Sequence, residues 1–425
     1  MSSIVLGCIA DDFTGATDLA NNLVRAGMRV VQTIGVPAEA LQADVDAVVI
    51  ALKSRTVLPQ DAVEQSLQAL SWLKSQGARQ IYFKYCSTFD STAQGNIGPV
   101  LEALMDALGT GFTIATPAFP DNKRTVFKGY LFVGDVLLNE SGMQNHPLTP
   151  MLDANLVRVL QAQTRRKVGL IDHAVVAHGA TAIADRIAEL KAQGVAVAIV
   201  DAVSNDDLMR LGPALKDMPL VTAGSGVAIG LPQNFGIAPS AGASTLPLRR
   251  GWQAAVSGSC STATNRQVAD FIARGLPALA LDPLQIADDV AKRIDPGARA
   301  LAWAAPFLKD GPVLVYSTAD PAAVKSVQAT LGVDDAGAMV ERTLAAVALG
   351  LVALGVRQLI VAGGETSGAC VLALDVEQMQ IGPQIDSGVP WCYAKQSSGA
   401  GLHLALKSGN FGADDFFSKA FESLS

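Results

Sequence analysis

Short apolar runs alternate with helical stretches through most of this chain, and that alternation fixes the fold class before any single residue is weighed. Candidate strands fall at 4–9, 30–34, 47–52, 80–85 and 112–116, then at 168–171, 195–200 and 220–222, with helical spacing between them. Strands separated by helices build βαβ units and a sheet covered by helices. Gly27 and Gly77 lie just past two of the helices, where a left-handed residue closes the last turn. Residues 125–133 instead alternate around Gly129 and read as a hairpin close to the functional edge of the sheet. Residues 233–250 have no periodicity, are rich in Gly, Pro and Ser, and read as an interdomain linker. Beyond them a new α/β unit begins, with strands at 252–256, 278–281, 313–316 and 358–362 and a long apolar helix at 336–354. The expectation is an α/β protein of two lobes, 1–235 and 250–425, each a largely parallel sheet flanked by helices, with an interdomain cleft. No sequence repeat relates the lobes.

The run Ile9-Ala10-Asp11-Asp12-Phe13-Thr14-Gly15-Ala16-Thr17-Asp18 places two acids and a Thr-Gly pair where the first strand ends and a helix begins. In open α/β sheets that edge is where ligands bind. A carboxylate there can accept a proton from a hydroxyl, hold a sugar hydroxyl or ligate magnesium. A helix cap alone would explain Asp12 or Thr14; two acids with a glycine point to a site. Lys53-Ser54-Arg55-Thr56 ends the third strand at the same edge, and Arg55 suits bidentate recognition of a carboxylate. Lys84 to Thr92 ends the fourth, where Ser87, Thr88, Asp90 and Ser91 offer donors and acceptors matched to hydroxyls. Together these strand ends suggest a pocket for a small polyhydroxy acid.

Charge and cysteine usage exclude several classes. Lys and Arg total 32 against 39 acids, a net charge of −7, which argues against a nucleic-acid surface. Four His and five Cys are scattered without zinc spacing, and an odd number of cysteines fits reduced thiols. No signal peptide is expected, and the longest apolar stretch, 344–356, is shorter than the roughly 20 residues that span a bilayer. A soluble cytoplasmic protein is expected, with no membrane or nucleic-acid partner and with a homodimer compatible with its apolar composition.

In the second lobe three glycine-rich segments sit at strand-to-helix turns: 256–261, 361–368 and 406–412. Small residues there let backbone N–H groups approach an anion, favoured further by the helix dipole. Ser and Thr hydroxyls add donors, and Lys407 offers a cation. The common nucleotide fingerprints are missing: there is no Gly-Lys dipeptide and no G-x-G-x-x-G, with Gly224-Ser225-Gly226 the nearest miss. This disfavours a dehydrogenase. Ser259 lacks the G-x-S-x-G elbow, which disfavours a hydrolase. His173, His178 and Trp252 read as surface or packing residues.

Taken in order, Ala-Asp-Asp-Phe-Thr-Gly-Ala at 10–16, Ser-Arg-Thr at 54–56, Phe-Asp-Ser-Thr with Gly-Asn-Ile-Gly at 89–98, Gly-Ser-Cys-Ser at 258–261, Gly-Gly-Glu-Thr at 363–366 and Lys-Ser-Gly-Asn-Phe-Gly at 407–412 resemble the four-carbon acid sugar kinases over nearly the whole chain. That resemblance implies a sugar-acid-binding domain followed by a nucleotide-binding domain, with ATP and Mg2+ as cofactors and a four-carbon sugar acid as small-molecule partner. Threonate and erythronate kinases of the family tend to carry Lys-x-Asp-Ser-Thr-x-Arg-Gly-Asn. Here the stretch reads Thr88-Phe89-Asp90-Ser91-Thr92-Ala93-Gln94-Gly95-Asn96, without that Lys or Arg, and looks like the 3-oxo-tetronate kinase branch, which phosphorylates O4. By resemblance the ATP contacts fall on Ser257 or Ser259, Gly363, Gly364, Glu365, Thr366 and Gly409. The substrate contacts fall on Asp12, Arg55, Ser87, Thr88, Asp90 and Ser91. Asp12 is the expected proton acceptor, with Asp11 as the alternative or as a magnesium partner. A threonate or erythronate kinase and a non-catalytic sugar-acid sensor are the alternatives.

Overall fold

The computed structural model describes residues 4–41, 44–146, 149–248, 250–396 and 401–424. Two compact units divide between Ser244 and Thr245, within the Gly/Pro/Ser-rich stretch.

In the first unit, strands β1 (Leu6–Ala10), β2 (Val30–Ile34), β3 (Ala47–Ala51), β4 (Gln80–Lys84) and β5 (Thr113–Thr116) are followed by a small antiparallel sheet of β6 (Arg124–Phe127), β7 (Tyr130–Val133) and β8 (Val136–Leu137). The chain then returns to the main sheet through β9 (Val168–Ile171), β10 (Val197–Val200) and β11 (Leu220–Ala223). The main sheet is parallel, in the order β2-β3-β1-β4-β11-β5-β10-β9. Every residue of β1, β3 and β4 is buried, as continuous apolar runs require when helices cover both faces. The chain leaves β1 toward β2 on one side and from β3 crosses to β4 on the other, so strand order reverses at β1. The register pairs Ala10 with both Ala51 and Lys84, which brings the ends of β1, β3 and β4 side by side.

The second unit contains β12 (Trp252–Ser257), β13 (Ala278–Ala280), β14 (Val313–Tyr316), β15 (Val356–Ala362), β16 (Val376–Asp386), β17 (Val389–Gln396) and β18 (Gly401–Lys407). In order β13-β14-β12-β15-β18-β17-β16, the first five are parallel and the last two antiparallel. Trp391, Phe271, Phe416 and Phe417 form its aromatic core, with the Trp391 indole N–H donating to Ala420 O at 2.9 Å.

The expected strands recur within a residue or two, and the hairpin turns at Gly129 with φ 77°. The β16–β17 hairpin is the addition. Its first strand carries Gly382-Pro383 and several register shifts, so its burial follows no period of two that sequence could display. The apolar helix spans Val333–Leu354, and by length and composition alone it could cross a membrane. Leu344, Val347, Ala348 and Leu351 are instead fully buried against the second sheet.

Gly27 and Gly109 both hold positive φ (103° and 63°), but only at Gly27 would a Cβ strike backbone, Ala238 O at 2.0 Å. Gly109→Ala should cost about 1–2 kcal/mol in urea unfolding, the penalty of a left-handed residue. Gly27→Ala should cost more, roughly 3 kcal/mol or above, because the chain must also shift.

Candidate functional site

Three parallel strands end together at the β1 edge, and their first free residues carry the charge. Asp11 N–H donates to Lys84 O at 3.1 Å, while Ser54 and Arg55 N–H both donate to Asp11 O, so the loops continue the ladder past the strands. Arg55 then folds back over the acids. Its Nε and Nη2 meet Asp11 Oδ2 and Oδ1 at 2.9 and 2.8 Å, and Nη2 also reaches Asp12 Oδ1 at 2.6 Å. Lys84 Nζ, almost fully buried, lies 3.7 Å from the same Asp12 oxygen. The Thr14 hydroxyl donates to Asp12 Oδ2 at 2.8 Å. Asp12 occupies the N-cap position of the helix Phe13–Arg25, where the Gly15 N–H favours its carboxylate. That carboxylate also serves the charge cluster. The cluster leaves no room beneath it: a Cβ at Gly15 would lie 2.1 Å from both Asp12 Oδ1 and Lys84 Nζ.

Electrostatics separate the acids. Burial pushes Asp12 up, but Arg55, Lys84 and the Thr14 hydroxyl together outweigh it and hold the carboxyl well below its ordinary range. Asp11 is raised, chiefly by burial, with Arg55 opposing. Deeper along the helix, burial pushes Asp18 up to about 6, partly offset by Lys84 and by the Ser225 hydroxyl that donates to it.

The loop after β4 closes one side. A small cavity is lined by Asp11, Ser54, Arg55, Asp90, Ser91 and Asn96, among others. Thr88 Oγ1 donates to Asp90 Oδ1 at 2.6 Å, and Ser91 Oγ accepts from Gln163 Nε2 at 2.8 Å. The Asn96 amide donates to Ser54, Arg55 and Val57 carbonyls at 2.8–3.1 Å, tying the loop that carries Arg55. Ser87 is buried on the same loop.

In the second unit the adjacent parallel strands β12, β15 and β18 deliver the three glycine segments to one edge. Gly258 and Ser259 N–H donate to Ala362 O, and Gly363 N–H to Lys407 O. A Cβ at Gly258 would sit 2.3 Å from Thr366 Oγ1, and one at Gly409 2.5 Å from Ser259 Oγ, so glycine is what lets the loops meet. Two helices begin there, Thr262–Ala273 capped by Ser261 and Gly364–Ala373 entered through Gly363 at φ 121°. Gly364 and Glu365 are exposed in the first turn of the latter. Converging helix N-termini with small residues suit an anion such as a phosphate. Among the described residues no cluster of three or more His, Cys, Asp or Glu could hold a metal.

A family model described as a sugar-binding N-terminal domain matches residues 6–231, and one described as a nucleotide-binding C-terminal domain matches 254–417. A Burkholderia multivorans protein named 3-oxo-tetronate kinase is 59% identical over 99% of this chain and 97% of its own. A Pseudomonas fluorescens protein of the same name is 57% identical with the same coverage. The chain belongs to the four-carbon acid sugar kinases. The crystal structure of Haemophilus influenzae protein HI1011 agrees, with 46% identity, a TM-score of 0.79 and coverage of 99% of this chain and 100% of that one. As a member of this kinase family the protein is an ATP-dependent kinase.

In this kinase, Asp11, Asp12 and Arg55 come together as one bonded cluster, and Asp90 and Ser91 border it. Of the expected nucleotide residues, Ser259, Gly363, Thr366 and Gly409 meet at the loop junction. Ser257 does not: its hydroxyl is fully buried and bonds Thr318 Oγ1 at 2.7 Å. Lys407 offers no free cation. Its Nζ is fully buried among Thr264 Oγ1 and the carbonyls of Ser408, Gly409 and Phe411 at 3.0–3.3 Å, so it clamps the loop from within. Burial pushes that ammonium down to about 7. Gly224 and Gly226 are small for packing, since Cβ atoms there would meet Pro117 O and Ala118 O. Sequence reasoning gave no role to Lys84 or Asn96. A lysine closing an otherwise apolar strand was the available signal for the first.

Because Asp18 is raised to about 6, ionising it costs the folded state stability as pH climbs from about 4 through 6. Asp18→Asn removes that cost, so its stability relative to wild type should grow by roughly 3 kcal/mol between pH 4 and pH 7.5, at about 1.36 kcal/mol for each tenfold change in acidity. A pH series of urea unfolding curves reads this; a flat difference would contradict it. In the second unit, Gly409→Ala should raise KM for ATP at least about tenfold, the scale of one lost charge-assisted hydrogen bond, and because its Cβ would meet Ser259 Oγ at 2.5 Å the thermal melting midpoint should fall as well.

Proposed function

We propose that this kinase phosphorylates the 4-hydroxyl of a four-carbon sugar acid, with 3-oxo-tetronate as substrate and 3-oxo-tetronate 4-phosphate and ADP as products. The observation that carries this reading is the Asp12 carboxylate, ionised and braced by Arg55 and Lys84 beside the hydroxyl-rich 87–91 loop. The names of the full-length relatives support the substrate.

In the reaction the 4-oxygen bonds to the γ-phosphorus as the bond from phosphorus to the β–γ bridging oxygen breaks, and ADP leaves with that electron pair. The proton of the 4-hydroxyl passes to Asp12. Asp11 is less suited to that role, because Arg55 clamps its carboxylate bidentately and it is more deeply buried than that of Asp12; it anchors the guanidinium that orients Asp12. Ser87, Thr88, Asp90 and Ser91 hold the sugar-acid hydroxyls. Ser259, Gly363, Gly364, Glu365, Thr366 and Gly409 cradle the ATP phosphates, with backbone N–H groups at the helix N-termini as donors. Magnesium would arrive with the nucleotide, held mainly by phosphate oxygens and water with one or two carboxylates, and would neutralise charge on the phosphoryl group.

ADP release measured across four-carbon acids tests the reading. Turnover confined to 3-oxo acids is expected; turnover of threonate or erythronate alone would overturn the substrate, and no release with any acid would favour a sensor. Asp12→Asn should lower kcat by at least about a hundredfold, the scale of general-base assistance, while ATP binding by calorimetry persists.

A further inference from the structure

The substrate is an anion, yet the arginine expected to greet its carboxylate is engaged elsewhere. Arg55 is bonded to Asp11 and Asp12, and Lys84 faces Asp12. Arg124 is differently placed. It opens β6, is pinned by a reciprocal backbone pair with Phe119 (2.8 and 3.1 Å), and follows Lys123, whose φ is 57°. Its Nη1 donates to Asn122 O. Its Nε is buried without a partner, and Arg124 forms no ion pair among the described residues. The Asn122 amide nitrogen, two residues earlier, is also buried and unpaired.

Arg124 nevertheless lies near the sugar-acid site. The ionisable groups within its electrostatic reach are Cys86, Asp18 and Asp90, and Asp90 lines the cavity shared with Asp11 and Arg55. Withdrawing a guanidinium from water costs several kcal/mol unless an anion meets it. Two orphaned donors on one turn at the edge of a sugar-acid site call for one acceptor with two oxygens. We infer that Arg124 binds the carboxylate of the sugar acid, with the Asn122 amide as a second donor, and so selects acids over neutral sugars. This rests on the sugar-acid reading above. The competing arrangement is internal: Asp18 Oδ1 is also buried and unpaired, and an Arg124–Asp18 pair would make the arginine structural.

The experiment compares two substrates on the intact protein: 3-oxo-tetronate and erythrulose, the ketose in which CH2OH replaces the carboxylate. Wild type should prefer the acid in kcat/KM. Arg124→Gln should reduce that preference at least about tenfold, the scale of a lost charge-assisted hydrogen bond, and mainly through KM for the acid. Arg124→Lys should restore part of it, and KM for ATP serves as the control. Equal losses on both substrates, or an unchanged preference in Arg124→Gln, would overturn the inference while leaving the kinase reading intact. If Arg124→Gln fails to fold, an undiminished preference in Arg124→Lys together with lower thermal stability would overturn it in favour of the Asp18 pair. Wild type that turns over no four-carbon acid would instead overturn the functional reading, and this one with it.

Discussion

Arg55 holds two consecutive carboxylates at the end of a buried strand, and the first unit's functional edge is arranged around that contact. Asp11 and Asp12 would repel each other and lose their water without it. A bidentate guanidinium on Asp11 and a third bond to Asp12 answer both problems. Lys84, arriving from β4 on the opposite side, completes the charge balance. Buried pairs of this kind add little net stability, because desolvation offsets the attraction, but removing one partner leaves a costly bare charge. The cluster therefore acts as a register lock, fixing where three loops leave three strands. The glycine at position 15 follows from it, since any side chain there would occupy the space of the paired charges.

The second unit solves the opposite problem. It must present donors to an anion without placing a flexible cation in the way. Its three loops approach so closely that glycine is required at 258 and 409, and two helices begin beside that junction. Lys407 contributes from beneath: an ammonium bonded to three loop carbonyls and a hydroxyl ties the third loop to the helix Thr262–Ala273 through Thr264. On the proposed reading, the positive character of the phosphate cradle comes from backbone dipoles held in place rather than from a Walker-type lysine.

The strand–helix alternation, the acids at the first strand end and the three glycine segments were legible because each is a local pattern. What escaped was set by register. Lys84 reaches Asp12 only because Ala10 pairs with Lys84 across the sheet, a fact that strand spacing in sequence does not carry. Ser257 and Ser259 look equivalent in Ser-Gly-Ser-Cys-Ser, yet Ser257 is the last residue of β12 and is buried against Thr318, whereas Ser259 lies beyond the strand end in the loop. Lys407 read as a candidate cation because it ends a strand beside a glycine-rich turn; its burial under its own loop emerges only from the path of residues 408–411. The β16–β17 hairpin lacked a period to read.

In the proposed mechanism, with Asp12 as proton acceptor, its lowered pKa bears on how the reaction runs. A carboxylate held far below neutrality is a weak base, and a reaction that needed early proton removal would favour a group titrating near the working pH. Phosphoryl transfer makes a smaller demand. In a loose transition state the bond to the leaving group is largely broken before the attacking oxygen bonds fully, so the hydroxyl proton becomes acidic late. What the acceptor must supply is a fixed lone pair at the right distance, always deprotonated. Arg55, Lys84 and Thr14 supply that by sacrificing basicity for orientation. For the same reason Asp18, raised to about 6, is the poorer choice despite its better-matched pKa: it lies inside the helix, almost fully buried, whereas the Asp12 carboxylate is partly exposed. Geometry outranks basicity at this edge.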